Sequence, residues 1–321
     1  MEKSKSEKIL ELFGQEQPLC LAPMYELNDL AFRTLCRKNG VKFCWSGMIN
    51  AHLWVMNPRI RENYFQTCEK DRPLIIQITG NSEEELISTA IDVEPLCDAI
   101  DINLGCTKHI ARRGNYGFYL VNTETKRQNV IKMVENLNRR INKPITAKIR
   151  LINDDDGNPC PQITSEFAKA LETAGISLLS VHGRSNRQDK HGPVDSDAIK
   201  VIVQSVKIPV IANGGINNKD EGFQLMQNSG AFGIMIGQGL LKNPKMFSDD
   251  PNNKPLDHTR EYIALFKEYP DNFYIARRHI FNFYEEHVRR DESLTAILKG
   301  THSIEQLEKA VEEIEKKLNT E

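Results

Sequence analysis

Residues 210–239 read VIANGGINNKDEGFQLMQNSGAFGIMIGQG, and this stretch decides the fold. Two short apolar runs, 210–212 and 233–236, enclose a segment with helical periodicity at 219–228, and glycines follow each run. Neither run alternates in polarity, which is typical of strands buried on both faces of a parallel sheet. The stretch therefore predicts a strand–helix–strand unit with glycine-rich turns.

The same unit recurs along the chain on the amino-terminal side. Six further apolar runs predict strands at residues 19–23, 43–46, 74–78, 99–104, 145–149 and 178–182. Helical periodicity predicts helices at 28–39, 123–140, 164–173 and 197–206, and Ser82 with Glu85 predicts a capping box at the start of another. No helix can be placed with certainty in residues 51–68.

Eight strands, most of them followed by a helix, predict an α/β protein with a (β/α)₈ TIM barrel. The alternative is a doubly wound open sheet, which is disfavoured because no GxGxxG motif opens the first helix. After residue 247 the chain turns polar and proline-rich, and from residue 258 it shows only helical periodicity. We therefore expect a barrel domain at residues 1–247 and a small C-terminal helical domain at 257–321.

The composition limits the class of protein. The 321 residues are 40% hydrophobic and 27% charged, which is typical of a globular chain, and the formal net charge is −2. A nucleic-acid partner would therefore need a local basic patch. Seven scattered cysteines without CxxC or zinc-finger spacing predict reduced thiols and no metal site. No long apolar run or secretory signal is present, so we expect a cytoplasmic protein that does not associate with membranes.

Polar and glycine residues follow most of the predicted strands. Active sites of such barrels lie at the C-terminal ends of the strands, so these residues should meet there. The two glycine-rich turns after the seventh and eighth strands each precede a helix, which is typical of a phosphate site and implies a phosphorylated cofactor or substrate. Alternatively, the glycines only allow tight turns. The candidate residues at the strand ends are Ala22, Pro23, Met24, Gln77, Asn103, Cys106, Lys148, His182, Arg184, Asn213, Gly214, Gly215, Gly237 and Gln238.

Two of these residues suggest a particular chemistry. Lys148 lies within an apolar strand, where a cation needs an anionic partner, such as the electron-rich edge of a flavin; alternatively it faces outward at the end of the strand. Cys106 is followed by His109, Arg112 and Arg113, and a positively charged neighbourhood tunes a thiol. From these residues alone Cys106 is either a nucleophile or a proton donor.

The ordered set of motifs resembles that of the tRNA-dihydrouridine synthases. The resemblance covers residues 19–247, and residues 276–279 (ARRH) add a possible match in the tail. Residues 110–117 (IARRGNYG) resemble the eukaryotic subgroup that acts in the D-loop of tRNA, and Thr107 stands where the family has proline. The matching stretches are 21–24 (LAPM), 28–33 (NDLAFR), 77–80 (QITG), 101–106 (DINLGC), 147–150 (AKIR), 181–184 (VHGR), 212–216 (ANGGI) and 237–239 (GQG).

The resemblance implies a barrel that binds FMN and, with NADPH as reductant, reduces the C5–C6 double bond of a uridine in the D-loop. Hydride would reach C6 from reduced FMN, and Cys106 would give a proton to C5. Asn103 and Arg184 would contact the substrate. The implied FMN contacts are Ala22, Pro23, Met24, Gln77, Lys148, His182, Asn213, Gly214, Gly215, Gly237 and Gln238.

The resemblance also implies a monomer whose helical tail binds tRNA. The candidate basic residues in the tail are Arg277, Arg278, Arg289 and Arg290, but acidic neighbours make a solvated helix face an equal alternative. Two other functions stay open: a flavin enzyme that acts on a small pyrimidine, similar to a dihydroorotate dehydrogenase, and a non-catalytic RNA-binding relative.

Overall fold

Eight parallel strands form a closed ring in the computed structural model, which describes residues 3–14, 17–59, 61, 65–188, 191–248 and 254–319. Neighbouring strands follow the order of the sequence, and the last strand pairs with the first through Leu19↔Ile234 and Leu21↔Ile236. This closing pair confirms the TIM barrel and excludes the open sheet. The strands are β1 Leu19–Leu21, β2 Phe43–Trp45, β3 Leu74–Thr79, β4 Ala99–Leu104, β5 Ile145–Leu151, β6 Ile176–Ser185, β7 Val210–Asn213 and β8 Gly233–Ile236.

Helices follow all eight strands, and more helices lie at both ends of the chain. A two-residue strand, Ile49–Asn50, extends the sheet beside the end of β3. The uncertain stretch after β2 contains a short helix. The helices are α1 Lys5–Phe13, α2 Leu30–Lys38, α3 Ala51–Met56, α4 Glu83–Val93, α5 His109–Arg113, α6 Glu124–Arg140, α7 Pro161–Thr173, α8 Ser196–Ser205, α9 Lys219–Ser229, α10 Gln238–Lys242, α11 Pro255–Glu268, α12 Phe273–Phe283, α13 Glu285–Arg290, α14 Glu292–Lys299 and α15 Ile304–Leu318, with 3₁₀ turns at Glu94–Leu96 and Gly117–Leu120.

Side-chain caps fix where several of the barrel helices begin. Asp29, Thr123 and Asn218 each accept a hydrogen bond from a backbone N–H in the first turn of the helix that follows, as good N-cap residues do. Ser82 Oγ accepts from the Glu85 N–H at 3.3 Å, but the Glu85 carboxylate contacts His52 Nδ1 at 2.8 Å. The predicted capping box is therefore formed in its Ser82 half only.

The N-terminal helix closes the bottom of the barrel, which is the end where the strands begin. Ile9 and Phe13 of α1 are buried against side chains of the strands. The ring of Phe13 lies 4.2 Å from that of Phe43, the first residue of β2, and 5.6 Å from that of Phe232. Lys5 Nζ donates to Asn138 Oδ1 at 2.7 Å, near the end of α6.

The C-terminal helices pack against the side of the barrel. Their apolar faces share one continuous buried cluster with α2, β8 and α10. At its centre, the Asp29 carboxylate contacts His279 Nε2 at 2.7 Å and accepts from Tyr262 Oη at 3.1 Å, and all three side chains are buried. The ring of Phe32 stacks on that of His279 with centroids 4.3 Å apart. An N-cap of the barrel is thus also the polar anchor of the tail.

Two further expectations from the sequence concern the linker between the predicted domains and the absence of membrane spans. Residues 249–253 of the predicted linker lie outside the described residues, and the division into domains at 247 and 257 stays a prediction. In the described part of the chain, none of the helices is long and apolar enough to cross a membrane.

Candidate active site

A cavity of about 1010 Å³ opens at the C-terminal ends of the strands. All fourteen candidate residues line this cavity. The predicted lining residues are Ala22, Pro23, Met24, Gln77, Asn103, Cys106, Lys148, His182, Arg184, Asn213, Gly214, Gly215, Gly237 and Gln238.

The backbone around Cys106 is held on both sides. Asn103 Oδ1 accepts from the N–H groups of Gly105, at 3.1 Å, and of Cys106, at 3.0 Å. The Cys106 carbonyl accepts from the Phe118 N–H at 3.0 Å. Gly117 is in the left-handed region at φ 65°, and a Cβ there would lie 2.9 Å from that of Cys106. Only glycine therefore fits beside the half-buried cysteine.

Two further hydrogen bonds tie down the residues that flank the cysteine. Arg150 Nε donates to the Gly105 carbonyl at 3.0 Å. Tyr119 Oη donates to the Thr107 carbonyl at 3.1 Å. The loop that carries Cys106 is therefore fixed on either side of the cysteine, and Thr107 lies within this fixed segment.

A chain of buried polar groups lies beneath the cavity and ends at a carboxylate. Asn103 Nδ2 donates to Gln77 Oε1 at 2.8 Å, and Gln77 Nε2 donates to Asp101 Oδ2 at 2.7 Å. Thr146 Oγ1 donates to Asp101 Oδ1 at 2.6 Å. Asp101 is fully buried, and this burial raises its pKa to about 6. The chain fixes the side chains of Gln77 and Asn103 in the orientation that supports the Cys106 loop.

One side of the cavity concentrates positive charge. Burial and the neighbouring Arg150 lower the pKa of Lys148 to about 8. Burial, with Arg150, Lys148 and Arg184 nearby, moves the pKa of His182 well below its usual value. His182 Nδ1 is buried and has no hydrogen-bond partner among the described residues. This side of the cavity is therefore suited to an anionic ligand that also hydrogen-bonds to a neutral imidazole.

The turn after β7 needs glycine for two reasons. Gly214 and Gly215 have φ values of 118° and 68°, which disfavour residues with side chains. A Cβ on Gly214 would also lie 2.8 Å from the imidazole of His182. Asn213 Nδ2 donates to the Met235 carbonyl at 2.7 Å and joins this turn to β8. Backbone and imidazole thus lie close together at the cavity wall.

Several residues that line the cavity were not predicted from the sequence as site residues. Met48 follows β2 and contacts Asn103 Nδ2 through its sulfur at 3.2 Å. Met48 lies just after the C-terminal end of a strand, where active-site residues are expected, but its side chain is apolar and gave no sign of a functional role. Arg278 reaches the cavity from the C-terminal helices, and no local pattern signals such a contact. The other lining residues that are not among the fourteen candidates are Tyr25, Leu27, Gly105, Lys108, His109, Ile110, Arg150, Ile216, Asn217, Met235 and Ile236.

The basic residues proposed for the tail mostly have partners within the protein. Arg277 donates to the carbonyls of Lys299 and Thr301, and Arg289 pairs with Glu285. Arg278 pairs with Glu26 at 3.0 Å across the join between barrel and tail. Arg290 is exposed. Of these four, Arg278 lines the cavity.

Comparisons with known proteins agree with this geometry. The model of the family described as Dihydrouridine synthase (Dus) matches residues 20–320. A mouse (Mus musculus) protein named tRNA-dihydrouridine(20a/20b) synthase, NAD(P)+-like, is 35% identical over 288 residues, which are 88% of this chain and 85% of the relative. A mouse tRNA-dihydrouridine(16/17) synthase-like protein is 32% identical over 291 residues, which are 89% of this chain and 59% of the relative.

The chain spans less than two thirds of the 16/17-type mouse and rat relatives, 59% and 64% of their lengths. Among solved structures, morphinone reductase in complex with tetrahydroNAD has a TM-score of 0.51 at 11% identity, covering 82% of this chain and 96% of the other. At this identity the likeness shows the shared barrel fold alone.

Proposed function

The chain belongs to the dihydrouridine synthase family, and from this premise we propose that it reduces the C5–C6 double bond of a uridine in the D-loop of tRNA to dihydrouridine. The observation that carries the proposal is the position of Cys106, a half-buried thiol on a fixed loop at the wall of the strand-end cavity. Both the 16/17 and the 20a/20b relatives have similar identity to the chain, so the target position within the D-loop is left open.

The cavity fits FMN by two features. His182 Nδ1 is a buried group without a partner among the described residues, and the side-chain-free turn at Gly214 lets a ligand approach the backbone. Lys148 and His182 would hold the electron-rich part of the ring system or the phosphate, and the turns at Gly214, Gly215, Gly237 and Gln238 would take the phosphate. Ala22, Pro23, Met24, Gln77 and Asn213 would line the ring. The chemistry that bound FMN supplies is hydride transfer, from NADPH and then to C6 of uracil.

Cys106 supplies the proton that completes the reduction. Its S–H bond breaks as the new C5–H bond forms, so that hydride and proton together add two hydrogen atoms across the double bond. The thiolate that remains lies within electrostatic reach of Lys148. The pKa of Lys148 is lowered overall, by burial and by Arg150, and Cys106 opposes that lowering by a smaller amount. Asn103 acts mainly as the brace of this loop, because its Oδ1 already accepts two backbone N–H groups. Arg184, which is partly exposed at the cavity, is the better candidate for a substrate contact.

The RNA partner is supported by a basic segment next to the cysteine. Lys108, His109, Arg112 and Arg113 are exposed. With a net charge of −2, phosphate contacts must be local, and this segment lies where a base turned out of its stack would enter. We place further tRNA contacts in the helical residues 257–321 and expect a cytoplasmic monomer.

Absorption spectroscopy with unmodified tRNA tests the proposal. The purified protein should be yellow, lose its flavin absorption when NADPH is added anaerobically, and regain it when tRNA is added. Mass spectrometry of the tRNA should then find a nucleoside heavier than uridine by two hydrogen atoms. Recovery of colour with free orotate instead of tRNA, or bleaching of the oxidised flavin by dihydroorotate, would favour a small-molecule enzyme. A colourless protein that FMN cannot reconstitute would overturn the proposal.

A further inference from the structure

A second cavity lies beside the first, between the barrel and the C-terminal helices. Its volume is about 500 Å³, within the range of pockets that hold small organic groups. Tyr25, Met48 and Arg278 line both cavities, so the two cavities adjoin. The remaining walls come from the loops after β1 and β2 and from the start of α12. The chemistry described above uses none of these other walls.

Polar contacts across the join preform this second cavity. Gln66, from the barrel, donates through Nε2 to the Pro270 carbonyl at 3.0 Å. Asp29, which lines the cavity, contacts His279 across the same join, and the guanidinium of the buried Arg33 lies 5.3 Å from the centroid of the Phe65 ring. A ligand therefore meets walls that are already in place, which lowers the entropic cost of binding.

One wall is an aromatic ring that rests on a cation. The side chain of Tyr274 is large and aromatic, and 56% of it is exposed. The guanidinium carbon of Arg277 lies 4.9 Å from the Tyr274 ring centroid, and Arg277 is itself held by the carbonyls of Lys299 and Thr301. Arg277 thus supports the ring and leaves much of it open. Tyr25, on the barrel side of the same cavity, is 45% exposed.

Asp271, one of the polar groups at this end of the cavity, offers a hydrogen-bond acceptor. Asp271 is partly buried, and that burial raises the pKa of its carboxyl group. A carboxylate in such a place pairs with the amino group of a base better than with the carbonyl edge of uracil. An exposed ring next to a carboxylate is therefore matched to a flat ligand that carries N–H donors.

We propose that this second cavity, lined by Tyr25, Asp271 and Tyr274, binds the base of a nucleotide adjoining the target uridine in the same RNA strand, with preference for a base that bears an amino group. The inference rests on the proposed function, because it requires an RNA substrate. Stacking on Tyr274 and a hydrogen bond to Asp271 would then hold the strand while the neighbouring uridine enters the larger cavity. The second base contributes to recognition of the RNA and takes no part in the reduction.

The test compares Tyr274→Ala with Tyr274→Trp. Loss of one base–aromatic stack is expected to raise the KM for unmodified tRNA about 5- to 100-fold in Tyr274→Ala. Tyr274→Trp should stay within about threefold of the parent protein, because it keeps a stacking surface. In both variants the rate at which NADPH bleaches the flavin should be unchanged. Thermal unfolding of each variant shows whether the fold is retained.

A modified RNA makes the test independent of any loss of fold. After the target uridine has been mapped, tRNA is prepared with an abasic nucleotide at either side of it. One of the two abasic substrates should raise the KM of the parent protein and have no further effect on Tyr274→Ala, because both changes remove the same contact. Effects that multiply, or an unchanged KM in Tyr274→Ala, would overturn the inference. The proposed function is judged separately, by whether the parent protein forms dihydrouridine at all.

Discussion

The two ends of the barrel are built from the same eight strands and differ in almost every chemical respect. At the bottom, Ile9 and Phe13 of α1 close the barrel against apolar side chains and are almost fully buried. At the top, a cavity of about 1010 Å³ gathers cations, a histidine nitrogen without a partner among the described residues, and a half-buried thiol. The comparison shows that residues at the bottom of the barrel stabilise the fold, whereas the residues suited to chemistry lie at the top, as is usual in this architecture.

The largest expected effect comes from removing the thiol at the top. Cys106→Ala should lower the rate of dihydrouridine formation by about 10²- to 10⁴-fold, the usual contribution of a positioned general acid. Bleaching of the flavin by NADPH and the free energy of unfolding should change little. Cys160→Ala is the matched control, because Cys160 is also partly buried but does not line the cavity. Equal turnover in the two variants would remove Cys106 from the mechanism.

At the bottom of the barrel, replacing one side chain by alanine should change the stability of the protein and leave its activity unchanged. Ile9→Ala removes a fully buried side chain, so it should lower the free energy of unfolding by about 2–5 kcal/mol. Urea denaturation measures this, and kcat at 25 °C should stay close to that of the parent. Leu10→Ala, on the exposed side of the same helix, should change the free energy of unfolding by no more than about 0.5 kcal/mol. A strong loss of kcat in Ile9→Ala would contradict the separation of the two ends.

Two arginine pairs sharpen the comparison. Arg112 and Arg113 lie in α5 beside the cavity, whereas Arg139 and Arg140 end α6 at the bottom, and all four are exposed. Arg112→Ala/Arg113→Ala should weaken tRNA binding and reduce the slope of log Kd against log salt by about 1.4–1.8, since each phosphate contact contributes about 0.7–0.9. Arg139→Ala/Arg140→Ala removes the same charge and should leave that slope unchanged. Equal slopes in the two variants would show that RNA does not lie against α5.

The smallest effect is a pH dependence of stability from Asp101. Folding raises the pKa of Asp101 to about 6, so the folded protein binds more protons than the unfolded chain from about pH 4 to about pH 6. Its contribution to the free energy of unfolding therefore falls as the pH rises through this range and is level above it. Asp101→Asn should lack this part of the slope, which urea titrations at a series of pH values would measure. An identical pH profile in the variant would show that Asp101 keeps an ordinary pKa in the folded protein.

The sequence was most informative where local pattern and topology coincide. Residues 99–104 and 233–236 form strands with the predicted bounds, and both strands are buried on both faces, as expected in a parallel sheet. The fourteen site residues line one cavity because the ends of parallel strands must meet. Their individual roles stay predictions, since position at a strand end does not distinguish a flavin contact from a brace such as Asn103.

The features that were missed depend on contacts between distant parts of the chain. Asp101 lies in an apolar strand, and its importance is apparent only from Gln77 and Thr146 on the neighbouring strands. Nothing local in residues 3–14 indicates that Ile9 and Phe13 close the barrel. The helical periodicity of residues 258–321 does not reveal that His279 contacts Asp29.

The contact between Asp29 and His279 joins residues that are 250 positions apart. During synthesis at about 5–20 residues per second, Asp29 leaves the ribosome roughly 12–50 s before its partner. For that time its carboxylate lacks the histidine, and the apolar face of α2 lacks the helices that will cover it. The nascent chain therefore exposes apolar surface until its C-terminal helices have been synthesised. We expect chaperones to bind this exposed surface. A chain that ends before His279 would on this view be insoluble and would not form a smaller enzyme.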